Sequence, residues 1–162
     1  MLFGKTLPDK LYNVTTIEAL KMEMRFVIIP EENLLLQKFI GELTYADWYQ
    51  SALEIWEHPN YNKLLRGIID FREAEIKMGV PEIRSIVNVL TDESGSALRA
   101  DTIVLANQPV VAAFAGIVAD SVRKYYNTII STTEEGAAAK VNVDRAVFKK
   151  LRGPDVVVKT FG

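Results

Sequence analysis

Apolar and polar positions along the chain switch between a two-residue and a helical period, and the switches mark out the elements. Met22–Ile29 (MEMRFVII) alternates in part and carries β-branched and aromatic residues, the pattern of a strand. Pro30-Glu31-Glu32-Asn33 interrupts it and Leu34–Leu43 (LLLQKFIGEL) resumes it, so the four-residue link predicts an antiparallel hairpin. Thr44 then reads as a helix N-cap, with Asp47 three residues on in a variant of the capping box. Tyr45, Trp48, Tyr49, Ala52, Leu53 and Trp56 recur at helical spacing until Pro59 ends the run. The stretch Leu65-Arg66-Gly67-Ile68-Ile69-Asp70-Phe71-Arg72 is a short apolar run closed abruptly by acid, aromatic and base. That is how a buried parallel strand reads, here over residues 64–71, with charges where it leaves the sheet.

The rest of the chain repeats the motif. Residues 72–80 are expected as a loop, and Pro81 suits the first turn of a helix buried through Ile83, Ile86, Val87 and Leu90. Residues 91–96 close that helix, and a strand follows at 101–106. Asn107-Gln108-Pro109 opens a helix that is apolar nearly all round to Ala119, and a further strand is expected at 125–130. Ser131-Thr132-Thr133-Glu134-Glu135 then reads as a cap and acidic first turn leading to Lys140. Residues 141–151 would prolong this helix and Gly153-Pro154 would end it. Val156-Val157-Val158 would make an added strand, on a partner chain as one option.

The order ββαβαβαβα predicts an α/β fold: a mostly parallel sheet of about five strands, an N-terminal antiparallel hairpin and helices packed on the sheet. Residues 22–140 form the expected domain, with 1–21 and 141–162 as extensions. A length of 162 residues suits one such core, and 49% hydrophobic with 25% charged residues argues against disorder. A formal net charge of −2 gives no general attraction to nucleic acid or anionic membrane. There is no cysteine, which removes disulfides, thiol nucleophiles and thiolate metal sites. The first residues lack the basic start and apolar run of a signal peptide, and residues 109–119 are too short to span a bilayer. A cytoplasmic protein without a membrane span is therefore expected.

Candidate chemistry is sparse. No GxGxxG, GxxxxGK[ST] or GxSxG occurs. The single histidine, His58, stands at the end of a helix, where the negative end of the dipole favours it, and no spacing suggests a metal site. No cofactor is expected. Ligands of α/β sheets usually sit beyond the carboxyl ends of parallel strands. Three segments should converge there: Asp70, Arg72, Glu73 and Glu75; Asn107 and Gln108; Ser131, Thr132 and Thr133. Each also has a structural reading, as a helix cap, a solvated carboxylate or an ion pair. The Tyr45, Trp48, Tyr49, Trp56 face lacks the basic stripe of a nucleic-acid platform and reads as packing on the sheet. On the apolar helix, Val111, Phe114 and Val118 are candidates for a homodimer contact.

From residue 24 to residue 139, this order resembles the SpoIIAA-like group of STAS domains (sulfate transporter and anti-sigma factor antagonist). The resemblance rests on Pro30-Glu31-Glu32-Asn33-Leu34, Gly41-Glu42-Leu43-Thr44, Gly67-Ile68-Ile69-Asp70-Phe71-Arg72 and Ser131-Thr132-Thr133-Glu134-Glu135-Gly136-Ala137. It implies a non-catalytic regulatory module that binds a protein partner or a small ligand. Some members of the group switch partners through a phosphorylated serine at the start of the helix after the organising strand. Here Glu75-Ile76-Lys77-Met78-Gly79-Val80-Pro81 holds no serine or threonine. Related members resemble lipid-carrying domains, so a carrier of an apolar ligand is the alternative, and it requires a cavity under the Trp48/Trp56 helix or the Pro109 helix. A third reading, an acid/base enzyme, requires Asp70, Glu73 or Glu75 in a cleft.

Overall fold

A computed structural model of the protein describes residues 21–93 and 100–162, so residues 1–20 of the expected leader and 94–96 of the expected turn lie outside the described residues, while 91–93 of that turn are helical. Strand β1 (Met22–Ile29) passes through a 3-10 turn at Pro30–Glu32 into β2 (Leu34–Leu43). Asn33 closes the turn in the left-handed region at φ 48°, which asparagine tolerates better than most residues. The strands pair antiparallel, Ile29 opposite Leu34, as a hairpin requires.

Helix α1 (Tyr45–Trp56) begins at the expected cap. Thr44 Oγ1 accepts from Asp47 N, and Asp47 Oδ2 accepts from Thr44 N, each at 3.3 Å. Removing the hydroxyl in Thr44→Ala should cost about 1 kcal/mol in urea unfolding. Thr44→Ser should recover most of that loss; an alanine variant as stable as the parent would show that the cap carries no weight.

Strand β3 is longer than expected. It runs Arg66–Ile76, through most of the stretch expected as a loop. The reason lies in its two neighbours. With β4 (Ala100–Leu105) it pairs only from Gly67 to Asp70, whereas β2 accompanies it in parallel as far as Leu43 opposite Ile76. Beyond Asp70 the strand is therefore half-covered: Ala74 is buried while Glu73 and Glu75 face solvent. Alternation with charges is the pattern of such a strand, not of a loop.

Helix α2 (Val80–Glu93), helix α3 (Pro109–Ser121) and strand β5 (Tyr126–Ser131) follow, and β5 pairs parallel with β4. The tail departs from expectation at two points. Helix α4 (Glu134–Lys140) is not prolonged to 151: Asn142 adopts φ 53°, and Asp144 caps a separate 3-10 helix, Arg145–Arg152. Strand β6 (Val157–Phe161) adds a sixth strand, paired antiparallel with the chain's own β1 and not with a partner's.

The sheet order is β5-β4-β3-β2-β1-β6. Ile68 and Ile69 of β3 lie mid-sheet between two strands running their way, and they point to opposite faces. Ile69 meets the layer formed by α1, α2 and α3; Ile68 meets α4 and the second 3-10 helix, which bury Ala137, Ala138, Phe148 and Leu151. Among the described residues no helix is long and apolar enough to cross a membrane.

Candidate functional site

The carboxyl ends of the parallel strands gather part of the expected set. Asp70, Arg72, Glu73 and Asn107 line one hollow of about 350 Å³ with Arg25, Lys38, Glu134 and Arg152. Its centre is an ion-pair clamp. Asp70 is 2% exposed, and Arg72 grips it with Nε–Oδ1 at 2.9 Å and Nη2–Oδ2 at 2.8 Å, then reaches Glu134 at 3.0 Å. The strand bulges here, two residues of β3 spanning one of β2, and Asp70 Oδ1 also accepts from Arg72 N at 3.0 Å. One carboxylate thus satisfies both the bulge amide and the guanidinium. The Asp70 carboxylate, and after it Glu134, raises the Arg72 guanidinium above its ordinary value. Both oxygens of Asp70 are engaged, and through Arg72 and Glu134 the clamp ties β3 to α4.

The other expected residues serve local structure. Glu73 is exposed and pairs with Lys38 at 2.6 Å, and Glu75 is exposed and pairs with Lys77. Gln108 Nε2 donates to the Arg72 carbonyl at 3.4 Å. Thr133 caps α4, its Oγ1 accepting from Gly136 N at 3.0 Å, and Thr132 is exposed beside it. A Cβ on Gly136 would stand 2.7 Å from Ser131 Oγ and 3.1 Å from Thr133 Oγ1, so a larger residue there would displace one of these hydroxyls. His58 closes the turn after α1, its Nδ1 accepting from Asn60 N at 3.2 Å and its ring meeting the edge of Phe26. Of the candidate dimer residues, Val111 and Phe114 are buried in the core and Val118 lines the cavity described next; the large apolar residues that α3 exposes are Val110 at 66% and Ile117 at 52%.

The cavity, of about 510 Å³, lies between the sheet and the layer of α1, α2 and α3. Its volume falls within the ~300–1,000 Å³ of small-molecule sites. Period-two geometry explains the floor: Leu35 and Gln37, Gly67, Ile69 and Phe71, Thr102 and Val104, and Tyr126 and Thr128 are the alternate residues of four adjacent strands. The register sets Leu35 beside Gly67, Gly67 beside Thr102, and Thr102 beside Thr128. This row holds a glycine and two threonines where the next row holds the larger Gln37, Ile69 and Val104, so the helices bridging it leave space beneath them. A Cβ built on Gly67 meets nothing nearer than Thr102 Cγ2 at 3.7 Å. Trp48, Ser51, Ile55 and Trp56 of α1, Ile86 and Leu90 of α2, and Phe114 and Ala115 of α3 form the roof. Asn62 and Lys63, exposed members of the lining, set the rim at the amino ends of the parallel strands.

Fold position points to the opposite end of the sheet and not to Gln37, Gly67, Thr102 and Thr128. Their signal was present as small or polar residues at alternate positions inside apolar strands: LLLQ, RGII, ADTI and YNTI. Compared with protein-family models, with curated proteins and with solved structures, the chain matches none.

Proposed function

We propose that the protein is a STAS-like, non-catalytic module that takes up a small apolar ligand between its sheet and the helices α1, α2 and α3. The observation that carries this reading is the cavity: about 510 Å³, walled mainly by aliphatic and aromatic side chains, in the layer where a packed core would otherwise lie. The STAS-like part of the reading is supported by the order ββαβαβαβα and by an antiparallel hairpin feeding a parallel sheet. The non-catalytic part is supported by the clamp on Asp70 and by the exposed ion pairs of Glu73 and Glu75.

The test is uptake of N-phenyl-1-naphthylamine, a neutral probe that fluoresces in apolar surroundings. The parent protein should bind it saturably. Gly67→Ile should abolish uptake, because the added side chain projects into the open space above the strand. The same change should raise unfolding stability by about 1 kcal/mol, since a β-branched residue replaces glycine in a central strand. Failure of the parent protein to bind, or undiminished uptake by the variant, would sink the cavity reading. Native mass spectrometry of protein from its own host should in addition show a non-covalent mass excess that denaturation removes.

A further inference from the structure

Two of the four buried polar residues among the described ones, Gln37 and Ser51, stand in the wall of the cavity, at 6% and 1% exposure. Ser51 donates its only proton to the carbonyl of Trp48 at 2.6 Å. Gln37 donates Nε2–H to the sulfur of Met24 at 3.2 Å. A thioether can only accept, so this contact fixes which end of the carboxamide faces the sulfur. The Oε1 end is left with no hydrogen-bond donor among the described residues. No polar side-chain atom of those residues is both sealed from solvent and unsatisfied, so that oxygen opens onto the cavity. The floor register sets Gln37 beside Ile69, two residues beyond the Leu35–Gly67 row and so ~7 Å further in. Trp48, Trp56, Phe71 and Phe114 line the same cavity. The carboxyl ends of α1, α2 and α3 lie on the rim side, and the negative ends of their dipoles disfavour an anion there.

Given the ligand-binding reading above, on which this step rests, we infer that the ligand is a neutral, largely aromatic molecule carrying an N–H or O–H donor, which it gives to Gln37 Oε1. Ser51 Oγ, its proton already committed, presents a second acceptor from the roof. An apolar ligand without a donor leaves Gln37 Oε1 dry and unpaired, and a carboxylate, which only accepts, sets lone pair against lone pair. Sites of this kind reject donor-lacking analogues because their own buried group is then stranded.

The experiment compares probes that differ in the donor alone. N-phenyl-1-naphthylamine is titrated by fluorescence, and 1-naphthyl phenyl ether, which replaces N–H by oxygen, is measured by displacing it; 2-naphthol and 2-methoxynaphthalene form a second pair. With the parent protein the donor-bearing member should bind about tenfold more tightly than its ether. In Gln37→Leu, a change of similar size, the ratio should fall to within about twofold, because the ether no longer meets an unpaired oxygen. Gln37→Met, equally unable to accept strongly, provides the same readout should the leucine variant fold poorly. If both pairs bind the parent with equal affinity, or keep their ratio in the variants, the assignment of Gln37 is overturned while the cavity stands. If no probe binds the parent, the cavity reading itself is lost.

Discussion

Arg72→Met should destabilise the fold by about 3–5 kcal/mol, measured as a loss in urea or guanidinium unfolding. The loss does not come from the ion pair's own strength, since a buried pair recovers little more than it surrenders in hydration. It comes from what is left behind: Asp70, 2% exposed, would lose the guanidinium bonded to both its oxygens and keep only the bulge amide of residue 72 as a hydrogen-bond donor. For a chain of 162 residues such a loss lowers Tm by roughly 6–20 °C. Glu134→Gln removes only the outer, partly solvated member of the cluster and should cost no more than about 1 kcal/mol. The alkaline side is equally definite. Asp70 raises the Arg72 pKa, so the contribution of Arg72 is present in full below the ordinary guanidinium pKa and is lost only as pH rises through the elevated one. Stability between pH 7 and 10 should therefore not fall through this clamp. Because Arg72 lies on the α4 face of the sheet, Arg72→Met should leave probe uptake intact wherever the variant is folded. A loss below 1 kcal/mol would mean that the Asp70 site is wetter than its burial implies.

Phe71→Ala should be as costly, about 3–5 kcal/mol, and should act on the opposite face. Phe71 stacks on Phe39 with ring centres 5.1 Å apart and meets Phe114 edge-on at 6.2 Å. It also closes the inner end of the cavity, so truncation joins a new void to an existing one. Neighbours held by strand and helix backbones can collapse only partly into that void. The variant should bind a bulkier homologue of the neutral probe at least as well as the parent does, despite its lower stability. A cost under 1.5 kcal/mol, with unchanged probe size preference, would show that Phe114 swings over to fill the gap and that Phe71 does not set the cavity's length.

Elements whose register with the rest of the sheet does not matter were legible from local pattern. The hairpin follows from two β-rich runs separated by four turn residues. Helix α1 follows from a cap and an aromatic stripe, and β3 from a central apolar run. Each depends on contacts within a few residues, or on burial that any covered sheet would provide. Errors arose where a distant neighbour decides the conformation. Residues 72–76 stay in a strand because β2 runs alongside them, and residues 157–161 become a strand because β1 would otherwise present an open edge. Residues 145–152 form a helix of their own because Asn142 turns the chain first.

The candidate sites divide the same way. Capping by Thr133 and the nearness of Asp70 to Arg72 could be read from spacing alone, because the partners are two or three residues apart. No such spacing joins Gln37, Gly67, Thr102 and Thr128, which belong to four strands and meet only through pairing. A glycine or threonine in a strand is ordinary until three of them fall into one row beneath the helices. Composition and periodicity thus specify which faces are apolar, whereas the volume left between two apolar faces is a difference between side-chain sizes brought together from distant parts of the chain, and it exists only once the strands are in register.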